Sequence, residues 1–257
     1  MVIAYSLLDA ARATPIVPWM PPDGALRGVI VDRLMFWNLV ALCCAALIAH
    51  LWLAVAIFRR RSAAGSSPAA LRWALVTAFV ATYAWMALTA QRLWAANRFS
   101  GPSPTAMQVE VVGEQFQWYF RYPGADAAFG VTRAQLVNAA AGNPLGIDPR
   151  DTNGADDVVS SVLVLPAGRE VDLQLKSLDV IHGFFIPGMR LKENTVPGLV
   201  LHIHFTPAAP GTYSILCSQL CGLGHQRMQA RLLVVSPAEF TAWMGGRERA
   251  RAQESAQ

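Results

Sequence analysis

Near its C-terminal end the chain carries Cys217-Ser-Gln-Leu-Cys221-Gly-Leu-Gly-His225-Gln-Arg-Met228. Two thiols, an imidazole and a thioether fall within twelve residues. Thiolate, thioether and imidazole ligands suit copper, whereas magnesium and calcium take oxygen ligands. Structural zinc is one alternative, but it usually takes CxxC pairs and no methionine. Here the spacing is CxxxC and a methionine follows. A Cys217–Cys221 disulfide is the other, reasonable in an oxidising compartment, and it leaves His225 and Met228 without a role. A single blue-copper site uses one Cys, two His and a weak Met. With a second Cys, two thiolates can each bridge two copper ions, and that binuclear centre needs another His. The candidate is His182, in Asp179-Val-Ile-His182-Gly-Phe-Phe on an upstream strand.

The elements around these residues read as all-β. Val158–Leu165, Arg169–Ser177, Val180–Ile186, Leu199–Thr206, Gly211–Cys217 and Gln226–Val235 are short strand candidates, preceded by Met107–Val112 and Glu114–Tyr122. Turn signals such as Pro187-Gly188, Pro197-Gly198 and Pro210-Gly211 separate them. Many short, evenly spaced strands argue for a Greek-key sandwich or barrel. Residues 124–157 interrupt the pattern with Gly, Asn, Pro and Asp, carry a net −3, and read as a long surface loop. Ser236-Pro-Ala-Glu239 is a capping box that opens a short helix, with the helix end and a polar tail over 241–257.

Upstream the composition changes. Leu34 to Phe58 run 25 positions without a charge, enough to cross a hydrocarbon core of about 30 Å. A second apolar run covers 73–94. Between them lie Arg59, Arg60, Arg61, the Gly65-Ser-Ser-Pro68 turn and Arg72, with no acid. Positive loops stay in the cytoplasm, so the expected topology puts both chain ends outside, in the periplasm of a bacterium. The expected organisation is an irregular arm over 1–33, a two-helix membrane hairpin over 34–97 and a periplasmic β domain over 98–240. The first nine residues lack the basic start of a signal peptide, so a cleaved one is only weakly supported. Residues 1–98 hold nine Arg against three Asp, while 99–257 hold twelve basic and fourteen acidic residues. The positive charge therefore belongs to the membrane segment, and nucleic-acid binding, which needs a clustered basic face, is excluded. Charged residues make up only 15% of the chain and hydrophobic ones 54%, which excludes disorder.

These features together resemble subunit II of cytochrome c oxidase, the copper A subunit of the haem-copper oxidases. The copper motif carries the resemblance, with two membrane helices, the aromatic stretch Gly113-Glu-Gln-Phe116-Gln-Trp118-Tyr-Phe-Arg-Tyr122, Asp179-Val-Ile-His182 and Val196-Pro-Gly198 in the same order, over roughly residues 25–240. The resemblance implies a cupredoxin-like fold and a dinuclear copper centre bridged by Cys217 and Cys221. It implies that His182 and His225 each terminate one copper, that Met228 is a weak ligand to one, and that the backbone carbonyl of Gln219 is a weak ligand to the other. It implies an electron taken from a c-type cytochrome or cupredoxin donor, passed to haem in catalytic subunit I, with Phe116, Trp118 and Asp179 at the docking patch. Three departures stand out. Most members carry Glu at position 219, whose carboxylate also serves a magnesium site; Gln219 is a poorer ligand, so magnesium is not expected, and the motif is closer to B-type oxidases. Phe116 stands where Trp is usual. Leu71, Arg72 and Trp73 offer no Glu at the start of the second helix, so any proton route uses another subunit.

A copper A subunit of a nitric-oxide reductase is an alternative reading, because the reaction happens in the partner. A membrane-anchored copper chaperone is another, though the Met- and His-rich tracts of chaperones are missing. No Cys-x-x-Cys-His occurs, so no covalent haem is expected. Cys43 and Cys44 read as apolar packing in the first helix, and His50 as a neutral residue facing a partner helix. His202 and His204 share one face of a strand; that spacing can bind metal, but no third ligand is evident, so solvent or subunit contact is the expectation.

Overall fold

The computed structural model describes residues 20–58 and 69–254. They form two compact units, one of residues 29–58 and 69–100, the other of 21–28 with 101–254. Arg59–Arg61, the Gly65–Pro68 turn and the first nineteen residues, with the signal-peptide question, lie outside the described residues.

The first unit holds two helices, α1 (Gly28–Phe58) and α2 (Ala69–Arg98), both long and apolar enough to cross a bilayer. A helix rises about 1.5 Å per residue, so each exceeds the hydrocarbon core. Leu47, Ile48, Leu51, Trp52, Phe79 and Tyr83 are all exposed, as expected of faces that meet lipid or another subunit. Three polar side chains bond to carbonyls of their own helix. The His50 ring pairs through Nδ1 with the Ala46 carbonyl at 2.7 Å, and Thr82 and Thr89 donate to the carbonyls of Ala78 and Trp85. Two expectations are corrected. The helix begins at Gly28 rather than Leu34, since Asp32 and Arg33 ride in its first turns. Cys43 and Cys44 are exposed rather than packed.

The second unit is a sandwich of two five-stranded sheets. One has the order β3–β2–β1–β5–β8, from β1 (Met107–Glu114), β2 (Gln117–Tyr122), β3 (Val158–Ser160), β5 (Val171–Ser177) and β8 (Leu201–Phe205). The other has the order β4–β10–β9–β6–β7, from β4 (Val162–Pro166), β6 (His182–Ile186), β7 (Leu191–Thr195), β9 (Gly211–Cys217) and β10 (Gln229–Val235). Most pairs are antiparallel; β1–β5 and β4–β10 are parallel. Alternation sets the faces. Val109, Val111, Trp118, Phe120, Leu173 and Leu175 point inward against Phe184, Ile186, Ile215, Met228, Leu232 and Val234. Tyr122 ties the sheets together: its hydroxyl accepts from the Val164 N–H at 2.7 Å and donates to the Val164 carbonyl at 3.1 Å. Burial pushes its pKa well up, so it stays a neutral donor.

Several sequence expectations change here. The run 158–165 is two strands in different sheets. Ser160 makes the corner, its Oγ accepting from the Val162 N–H and donating to the Val162 carbonyl. β7 has the polar sequence Leu-Lys-Glu-Asn-Thr and shows no strand alternation, yet it pairs with β6 as an edge. Residues 124–157 do more than skirt the surface. Leu145 and Ile147 pack on Val112 and Tyr119, forming a second small core on the outward face of the first sheet. Below them, Arg121 is buried between Asp157 and Glu110, and Lys176 joins Glu110. Residues 21–26, read as irregular, are pinned to the sandwich: Gly24 N–H donates to the Gly188 carbonyl at 2.7 Å and Leu26 N–H to the Thr206 carbonyl at 3.0 Å. The last helix, α3 (Pro237–Glu254), starts at the expected capping box, with Ser236 N–H and Oγ donating to Glu239 and Glu239 N–H to Ser236. It runs for 18 residues, longer than the short helix expected, because Phe240, Trp243 and Met244 pack on the core beside Tyr122.

Candidate metal centre

β9 ends at Cys217, and the chain then loops back to β10 through residues 218–228. The Cys217 N–H donates to the Met228 carbonyl at 3.1 Å, which closes the loop at its base. Inside it the donors converge. Cys217 Sγ lies 3.7 Å from Cys221 Sγ; Cys221 Sγ lies 3.7 Å from His225 Nδ1 and 3.8 Å from Met228 Sδ. The Gln219 carbonyl sits 3.1 Å from Cys217 Sγ, while the Gln219 side chain is exposed. His182 comes from β6, the strand beside β9. Its donor nitrogen and the two sulfurs all lie within 4.8 Å of one another.

The fit to a soft metal rests on His182. The ring is fully buried. Nε2 pairs with Asp179 Oδ1 at 2.7 Å, and Nδ1 has no partner. A buried ring nitrogen without a hydrogen bond is costly, and a carboxylate on the opposite nitrogen is the arrangement that orients a metal-binding histidine. The thiols tell the same story. Burial, then the neighbouring Cys217, pushes the Cys221 thiol up to about 11. The Cys221 thiolate therefore does not form unaided at neutral pH, and a soft cation held there would displace its proton. Thiolate, imidazole and thioether donors suit copper.

The other expected residues fall differently. Trp118 has no exposed surface, so it cannot touch a docking partner. Its ring packs edge-on against His182 at 5.8 Å and Phe184 at 5.2 Å. Asp179 is only partly exposed, and its carboxylate is committed. It accepts from His182, from the Gln115 N–H at 2.7 Å and from the Val180 N–H at 2.6 Å. Burial alone would raise its pKa, but these bonds outweigh it and hold the carboxyl below its ordinary range. Asp179 therefore positions His182 rather than forming a charged rim. Phe116 is 37% exposed and lies on the metal loop, where a Cβ at Gly224 would come within 2.3 Å of its ring.

Sequence reasoning missed the residues that make room. A Cβ on Gly183 would lie 2.3 Å from Ser218 Oγ and 2.7 Å from the Gln219 nitrogen; one on Gly113 would lie 2.9 Å from the His182 ring. Glycine inside a strand pattern is the available signal, since it marks close backbone approach. Gln115 was also missed. Its side chain donates to the Cys221 carbonyl at 2.6 Å and clamps the β1–β2 turn to the loop.

The family model described as "Cytochrome C oxidase subunit II, periplasmic domain" matches residues 107–235. The alternative cytochrome c oxidase subunit 2 of Bradyrhizobium diazoefficiens is 33% identical over 236 residues, which cover 88% of this chain and 83% of that protein. The chain belongs to the cytochrome c oxidase subunit II family. Other subunit II relatives match over shorter stretches. The Thermostichus vulcanus protein is 31% identical over 52% of this chain and 32% of its own length; that of Thermus thermophilus is 41% identical over 27% and 52%. Among solved structures, the periplasmic domain of subunit II of cytochrome oxidase from Bradyrhizobium japonicum aligns with a TM-score of 0.44 at 23% identity, over 58% of this chain and 99% of that one. As a subunit II protein, the chain is a component of an oxidoreductase complex. The two apolar helices are its membrane anchor, and the converging His and Cys side chains are its candidate metal centre.

Proposed function

We propose that this subunit II is the point at which electrons enter a haem-copper oxidase, through a dinuclear copper centre held by His182, Cys217, Cys221, His225, Met228 and the Gln219 carbonyl. The observation that carries the reading is the buried, unpartnered Nδ1 of His182 beside two adjacent thiols. Bound copper supplies one-electron redox chemistry. Every other part of the task is the chain's own. β6 supplies His182, β9 supplies Cys217 and the loop between β9 and β10 supplies the rest, Asp179 holds the His182 ring, and Gln115 holds the loop. A ligand set fixed in advance changes little between oxidation states, and transfer is fast when little reorganises. Trp118, Phe184 and Met228 exclude water from the inner side, since all three are fully buried.

The subunit takes its electron from a c-type cytochrome or cupredoxin and passes it to haem in the catalytic subunit. Its proposed location is a bacterial cell membrane, with the β unit on the periplasmic side; the two apolar helices support the anchoring. The test is stopped-flow mixing of the copper-loaded full chain with a reduced c-type cytochrome. Rapid oxidation of the cytochrome, absent in Cys221→Ser, is expected. Copper loading without any oxidation of the donor, together with ready release of copper to a chelator, would replace this reading with a chaperone.

A further inference from the structure

We propose a second metal site on the outward face of the first sheet, in which His202 and His204 grip a divalent late transition-metal ion and Asp172 orients the grip. Leu201, Ile203 and Phe205 of β8 pack on the core, so the alternate residues His202 and His204 face away from it. Residues two apart on a strand stand roughly 6.8 Å apart. Imidazole rings leaning together from that distance can share one ion at about 2.0–2.1 Å from each nitrogen. β5 pairs with β8 in a register that sets Asp172 opposite His204 and Gln174 opposite His202. The Asp172 carboxylate reaches diagonally to His202, with Oδ2 2.9 Å from Nδ1.

That contact sets the chemistry. If Nδ1 carries the proton and donates it to Asp172, Nε2 is left as a lone-pair donor on the solvent side. A carboxylate behind a histidine is the usual outer partner of a metal-binding imidazole. Asp172 is 2% exposed, and its Oδ1 has no hydrogen-bond partner. A buried carboxylate with an unsatisfied oxygen is expensive unless positive charge stands close by. Lys176, the cation of β5, is paired with Glu110 instead. Gln174 is likewise engaged, donating to Gln108 at 3.0 Å. The His202 side chain is half exposed, so an ion reaches it from solvent. Two imidazoles with no sulfur donor select copper(II), then zinc(II) or nickel(II), by the general order of divalent affinities. The site lies in the sheet opposite β9 and β6, so it uses none of the ligands of the cysteine centre.

The experiment is a copper(II) titration of the detergent-solubilised full chain, wild type against His202→Ala and His204→Ala, read by equilibrium binding and by EPR. Counting the difference in bound equivalents makes the result independent of what the cysteine centre holds. Wild type should bind one equivalent more than each variant, and that equivalent should show a tetragonal signal with imidazole nitrogen couplings. Asp172→Asn should keep the equivalent but weaken it by about tenfold. Equal equivalents in all three proteins, or the same signal surviving both alanine substitutions, would overturn the site. An unchanged affinity in Asp172→Asn would overturn the orienting role.

Discussion

At the scale of single residues, His182 and Met228 do opposite jobs in the proposed centre. His182 is locked by Asp179 and Trp118 before any metal arrives, so it sets geometry. Met228 is fully buried, with its sulfur 3.8 Å from Cys221 Sγ. A thioether is a weak ligand that tunes a copper site more than it retains the metal. Met228→Leu is therefore expected to keep copper and shift the reduction potential, measured by redox titration; loss of the metal would contradict the weak-ligand role. Gly183 contributes by absence. Its missing Cβ lets β6 approach Ser218 and Gln219, and Gly183→Ala forces backbone apart at the site. The expected cost is about 1–3 kcal/mol of stability, seen as a lower melting midpoint together with weaker copper retention. An unchanged midpoint and unchanged retention would show that the approach has slack.

At the scale of elements, the 124–157 segment earns its length by covering charge. Asp157 is fully buried, and it accepts from the Arg121 guanidinium and from the Gly130 N–H. Removing one partner of a buried pair strands the other, which costs about 3–5 kcal/mol. Asp157→Ala should lower stability by that order in chemical denaturation and loosen the segment to hydrogen exchange first. Loss confined to a few tenths would mean that Glu110 alone satisfies Arg121. The sequence was uneven in announcing these elements. The cluster of soft donors was legible because such residues at close spacing have few other uses, and the capping box because its contacts span four residues. β7 was invisible because an edge strand needs no apolar alternation. The break at Ser160 was invisible because both halves are apolar and only the sheet they join differs. The link between Asp172 and His202 spans thirty residues, and no local pattern reports it.

At the scale of the whole molecule, the positive charge sits with the membrane helices and the segment 99–257 is nearly neutral. Beside the ligands, Leu220 and Leu223 in the loop are 79% and 98% exposed, with Ile181 and Phe116 partly so, next to the exposed Gln219, Gln226 and Arg227. Electrostatic steering raises association rates and falls steeply with salt. With little charge to steer, the reaction with a cytochrome donor should change only modestly between low and physiological ionic strength. Phe116→Ala, which removes apolar contact area without touching a ligand, should slow it. Stopped-flow rates check both parts; a steep salt dependence, or an unchanged rate in the variant with copper intact, would contradict docking through apolar contact.

EPR of the copper-loaded full chain, with metal analysis on the same sample, decides whether Cys217 and Cys221 hold two coppers as one redox unit. Two coppers per chain and an unpaired electron shared equally between both nuclei are expected, with Cys217→Ser abolishing the sharing because one bridge is gone. A single copper with a localised signal, zinc in its place, or a shared signal that survives Cys217→Ser would contradict this.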